Sequence, residues 1–142
     1  MRARSCRHRS HRAPVEDCTC GLYAVEEPDL LRAARDPAVI GTVDLWGRVL
    51  EHERGYRAEF AYPQRLALIC AQCFWRRGAG KGTVDRVARI GRRQLTPTCE
   101  EHLATAIDVG YPVRGFLDPT EVLGSLLGSY LVDPIDRRLA GP

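Results

Sequence analysis

Between Val39 and Ile69 the apolar positions follow a period of two. Val39, Gly41, Val43, Leu45, Gly47 and Val49 fall on one face of an extended segment. Ile40, Thr42, Asp44, Trp46, Arg48 and Leu50 fall on the other. Glu53-Arg54-Gly55 supplies a turn, with Gly55 free to take a positive φ. A return strand then runs from Tyr56 to Ala61 and resumes from Leu66 to Ile69 after Pro63. The pattern predicts a small, twisted antiparallel sheet. Gly41 and Gly47 inside the first strand allow bends that would curl it toward a barrel.

Helical signals flank this region. Pro28 to Arg35 reads as a short helix with proline in its first turn and Pro37 beyond its end. Residues 74–97 mix a helix-compatible set (Val84, Val87, Ala88) with the punctuation of Gly80, Gly82 and Gly91, which predicts a hairpin. Thr98-Cys-Glu-Glu101 matches a capping box, placing Cys99 at the first helical position and His102 one turn later on the same face. Asp118-Pro119-Thr120-Glu121 opens a last helix with cap, proline and acid in order, and its stripe is Val122, Leu123, Leu126, Leu127, Tyr130 and Leu131. Leu123-Gly-Ser-Leu126-Leu127 within it has the shape of a groove-docking helix, though such a stripe more commonly packs on a core.

The expected fold is α+β: a small antiparallel β domain, a metal-stapled module and a C-terminal amphipathic helix. The expected layout is a disordered basic arm (1–14), the β domain with one short helix (15–69), the metal module (70–109), and a linker with the last helix (110–142). The 142 residues suffice for one ordinary core, or for a small domain with a metal-stapled appendix. Apolar content of 44% and charged content of 27% are ordinary for globular proteins. No apolar run approaches the roughly 18 residues of a membrane span. The Arg-rich start lacks the apolar stretch of a secretory signal, so a cytoplasmic location is expected.

Charge is unevenly distributed. The chain has 20 Arg and one Lys, and its net charge is +3. Residues 1–12 carry five Arg and no acid, and residues 76–93 carry Arg76, Arg77, Lys81, Arg86, Arg89, Arg92 and Arg93 against Asp85 alone. The second block, edged by Phe74 and Trp75, is a candidate nucleic-acid surface, combining phosphate-tracking cations with stacking rings. A solvated charged loop is the plainer reading of the same residues.

Cysteine spacing carries the chemistry. Cys70-Ala-Gln-Cys73 and Cys99-Glu-Glu-His102 are two chelate pairs, and three thiolates with one imidazole make a closed tetrahedral set suited to structural zinc. Cys18 and Cys20 form a second candidate group, with Cys6, His8, His11 and His52 available as partners. In an extended strand their spacing would point them to opposite faces, so convergence needs a turn, which Gly21 permits. No Ser, His and acid spacing sets a nucleophile against a base, and a small-molecule substrate is not expected. Gly78-Ala-Gly80-Lys81-Gly82-Thr83 looks like the end of a phosphate loop but has Trp75 where the leading glycine belongs.

The order strand end, Cys-x-x-Cys, hairpin, helix start with Cys-x-x-His resembles a treble-clef zinc finger over residues 66–109. That resemblance implies a structural zinc and no particular activity. The phrases Cys18-Thr-Cys-Gly-Leu-Tyr-Ala24 and Leu45-Trp-Gly-Arg-Val-Leu-Glu-His-Glu-Arg-Gly-Tyr-Arg-Ala-Glu-Phe-Ala-Tyr-Pro63 resemble a pair found together in small bacterial proteins, mostly of high-GC organisms. They imply a common fold without an activity to transfer. The charges of the second phrase, Arg48, Glu51, His52, Glu53, Arg57 and Glu59, could line a polar groove, but pairing across strands on a solvated face is the favoured expectation. The sequence thus favours a non-catalytic, zinc-stabilised binding or adaptor protein with a nucleic-acid or protein partner, ahead of a metalloenzyme at Cys18, Cys20 and His52.

Overall fold

The structure is a computed structural model describing residues 1–3, 11–33, 37–77 and 82–135. Its elements follow the order β1 (Leu22–Ala24), a 3-10 turn (Pro28–Ala33), β2 (Val39–His52), β3 (Gly55–Leu68), α1 (Ala71–Arg77), β4 (Arg86–Ile90), β5 (Gln94–Thr98), α2 (Glu100–Asp108), β6 (Val113–Leu117), α3 (Pro119–Tyr130) and β7 (Asp133–Pro134). The chain divides into two compact units: Met1–Leu31 with Thr42–Gln64, and Arg32–Gly41 with Arg65–Pro142. The fold is mixed α and β with antiparallel sheets. Among the described residues the sheets are open, so the barrel is not formed; each sheet keeps edge strands.

In the first unit β3 is the central strand, between β1 and β2, with Leu22 opposite Ala58. Residues 1–3 also run along it: Arg2 bridges Phe60, and Met1 and Ala61 exchange backbone hydrogen bonds. Burial within this strand overturns the solvated reading of two of its charges. Arg57, Ala58 and Glu59 are all buried. Glu59 is held by Arg12 (2.5 Å) and Arg2 (3.6 Å), so its charge is compensated where water is excluded. The strand runs without a break through Pro63, rather than pausing there as the proline suggests. Trp46 of β2 stacks on Phe60, with centroids 5.7 Å apart.

In the second unit β4 is central, in the order β5-β4-β6. Val87 and Ala88, on opposite faces of β4, are both buried. Val122 and Leu126 of α3 line a cavity of about 250 Å³ with Val87, Leu95 and Pro97 on one face. Thr96 and Thr98 look from the other face into a cavity of about 350 Å³, lined also by Trp75 of α1 and by Thr105 and Ala106 of α2. The sheet is therefore sandwiched, with the cysteine pairs on the α1/α2 side. The 86–98 hairpin is formed as expected, but a helix precedes it, and β6 pairs with β4 where only a linker was expected. The last helix starts as its residues dictate, with the Asp118 carboxylate accepting from the Thr120 and Glu121 amides.

Candidate metal centre

Both chelate pairs sit at helix starts. Cys70 precedes α1 and Cys73 lies in its first turn; Cys99 precedes α2 and His102 lies in its first turn. In each case the first cysteine's carbonyl accepts from the amide four residues on: Phe74 to Cys70 at 2.9 Å and Leu103 to Cys99 at 3.0 Å. A three-residue step at a helix start brings the two donors onto one side, so each pair is a local chelate. The capping position of α2 therefore belongs to Cys99, one residue later than the Thr98 box implies. Thr98 ends β5, and its hydroxyl donates to the Cys99 carbonyl. The orphan amide of Glu100 is taken instead by the Asp85 carboxylate at 3.0 Å.

All four predicted ligands meet in a buried cluster. His102 Nδ1 lies 3.5 Å from Cys70 Sγ, 3.4 Å from Cys73 Sγ and 3.1 Å from Cys99 Sγ, and Cys73 and Cys99 sulfurs are 3.6 Å apart. Metal–ligand bonds of about 2.3 Å to sulfur and 2.0–2.1 Å to nitrogen give tetrahedron edges of roughly 3.5–3.8 Å. The donor set is thus close to the size a four-coordinate ion requires. Gly82 closes the site from outside, at φ +122°. A Cβ there would stand 2.7 Å from Cys73 Cβ and 2.9 Å from its sulfur, so only glycine fits without a shift.

The electrostatics also call for a cation. Burial first, then the Cys99 and Cys70 groups, push the Cys73 thiol up to about 12 from an ordinary 9.0. At Cys70 burial acts in the same direction, but the backbone amides of Cys73, Cys99 and Gln72, together with the Cys73 thiol, outweigh it and the net shift is downward. Three sulfurs this close cannot all carry charge unless a positive ion sits among them. The remote His102 nitrogen, Nε2, is buried with no partner among the described residues, as is Thr96 Oγ1; both residues line the 350 Å³ cavity.

A second cluster lies in the first unit. His11, Cys18 and Cys20, all half-buried, have donor atoms within 4.8 Å of one another. His52 is not among them; its Nε2 accepts from Arg57 Nε at 2.7 Å. Cys6 and His8 lie outside the described residues. What sequence reasoning missed is the role of Arg57. Its guanidinium donates to the carbonyls of Val15 (3.3 Å), Glu16 (3.4 Å), Cys18 and Cys20 (3.5 Å), and so holds the cysteine loop. No local signal marks this, because the recipients lie 37–42 residues away.

The basic block is distributed rather than gathered. Arg76 and Arg77 end α1, and Arg77 approaches Glu101 at 3.5 Å. Arg86 and Arg89 extend to opposite faces of β4 by strand alternation, and Arg92 and Arg93 are exposed in the β4–β5 turn. Lys81 and the Gly78–Gly80 tip lie outside the described residues. Among the described residues, no helix is long and apolar enough to cross a membrane. No family model matches the chain, and neither a curated protein nor a solved structure shows significant similarity to it.

Proposed function

We propose that the chain is a zinc-stapled, non-catalytic binding module. The observation that carries this reading is the closed, buried set of Cys70, Cys73, Cys99 and His102, whose spacings match a tetrahedral ion and leave no open coordination position. Three sulfurs and one nitrogen suit zinc, which here supplies charge compensation and a cross-link rather than Lewis-acid chemistry. The order of β3 end, Cys70/Cys73, the β4–β5 hairpin and Cys99/His102 at the α2 start supports a treble-clef-like module.

The staple would hold the hairpin whose turn carries Arg92 and Arg93, with Arg76 and Arg89 adding cationic reach toward a nucleic-acid backbone. Gel shifts with mixed DNA and RNA at increasing salt test this. Expected is binding at low salt that weakens with ionic strength, with a shallower salt slope in an Arg92→Gln/Arg93→Gln variant. Absence of binding at low salt, or indifference to the neutralised turn, sinks the nucleic-acid half of the proposal.

A protein partner is the second reading. It is favoured by α3, of which no residue is buried, and by Leu131 after it, which is 90% exposed. A complex insensitive to salt but lost with Leu131→Asp would support that reading instead.

A further inference from the structure

We propose that His11, Cys18 and Cys20 form a second metal site, with these three donors among the described residues and Arg57 as its positioning residue. It stands independently of the closed centre and goes beyond the stapling role. The donors are two sulfurs and one imidazole, all within 4.8 Å of one another, with His11 Nε2 and Cys20 Sγ 3.2 Å apart, slightly inside the ligand separation expected around one ion. That chemistry selects zinc or copper(I) and discriminates against magnesium and calcium, which prefer oxygen.

Convergence of a Cys-x-Cys pair demands a folded loop, and the structure provides one. The Cys18 amide returns to the Val15 carbonyl at 3.1 Å, and Tyr23 Oη donates to the Thr19 carbonyl at 2.6 Å. Gly21, at φ +127°, lets the chain turn against Pro14 and Arg57, which a Cβ would approach at 3.2 and 3.3 Å. Arg57 then gathers four loop carbonyls on one guanidinium, itself 5% exposed. A buried cation with no carboxylate hydrogen bond among these contacts is an unusual investment in a loop. Its effect is to fix the backbone that carries both sulfurs, so the donors are prearranged at a half-buried, accessible place. With its donors on one short loop whose backbone is already held, the ion can be loaded and released without unfolding the chain.

Native mass spectrometry of the full chain, purified under reducing conditions and titrated with zinc alone, tests the site. Two zinc ions per chain are expected, the second removed first by a chelator. Cys20→Ser and His11→Ala should each abolish the readily removed ion and retain the other, while Cys73→Ser should have the converse effect. Arg57→Lys should weaken the labile ion by roughly 10–100-fold, the range for a residue that positions a ligand, with the tightly held ion unchanged. If that variant fails to fold, Cys20→Ser still decides the question. A single ion that survives Cys20→Ser and is lost with Cys73→Ser overturns the loop site while leaving the staple standing. A Cys18–Cys20 disulfide in the reduced preparation also overturns it, and absence of any ion overturns both readings.

Discussion

The closed cluster draws its donors from two helix starts separated in sequence, Cys70 and Cys73 at α1 and Cys99 and His102 at α2, with a hairpin between them. The loop cluster draws His11, Cys18 and Cys20 from a single stretch of ten residues. An ion in the first ties distant segments and so belongs to the folding free energy of its unit. An ion in the second would tie only neighbours, because Arg57 has already fixed their backbone. On the proposed reading the same donor types serve different ends, with sequence separation and burial setting whether a site staples or exchanges.

The largest effect should come from breaking the staple. Cys73→Ser, or stripping any bound ion from the wild-type chain, is expected to destabilise the Cys70–His102 region strongly, since structural zinc contributes on the order of 10–16 kcal/mol in finger peptides. Hydrogen exchange checks this through lost amide protection in β4 and α2. Cys20→Ser should leave that protection intact, and its loss there would erase the contrast between the clusters.

Arg57→Ala comes next. It strips four loop carbonyls and His52 of their donor, an expected loss of a few kcal/mol, at roughly 1–3 kcal/mol for each buried acceptor left unpaired. Urea unfolding measures it; a change under a kcal/mol would show that the loop holds itself. Gly82→Ala forces a non-glycine residue to φ +122° and a Cβ onto Cys73, at an expected cost of roughly 1–3 kcal/mol. Faster zinc loss to a chelator, with the loop ion unaffected, is the readout that separates it from general destabilisation.

The subtlest test is the sign of the pH response. In the metal-free chain the raised Cys73 thiol holds its proton more tightly when folded. Its contribution is therefore present below about 9.0 and lost as pH rises toward about 12. Cys70, shifted down, opposes this in direction. With zinc bound the dependence inverts, since protons compete with the metal and the staple weakens as pH falls. Thermal melts of loaded protein should fall as pH drops below about 9.0 and those of chelated protein as pH rises above it; the same pH dependence in both would argue against metal at the closed site.

Much of this was legible in the residues. The Cys70/Cys73 and Cys99/His102 pairs, the Asp118 cap and the β2–β3 period all rest on spacings of two to four residues, where backbone geometry alone sets the outcome. The α2 start was misplaced by one residue because Asp85, fifteen positions upstream, supplies the contact that Thr98 was expected to make. β6 was not legible, since Gly115 interrupts a five-residue run and only pairing with β4 fixes it as a strand.

Sequence by itself therefore determined which four side chains form the closed cluster, because each half of that cluster is a local turn of chain. Only the tertiary structure decided that β3 is a central strand, that Arg57 and Glu59 are buried on it, and that His11 rather than His52 joins Cys18 and Cys20. Those outcomes depend on which strand lies beside which. Burial turns a surface charge into an organising one, and no window of neighbouring residues contains that information.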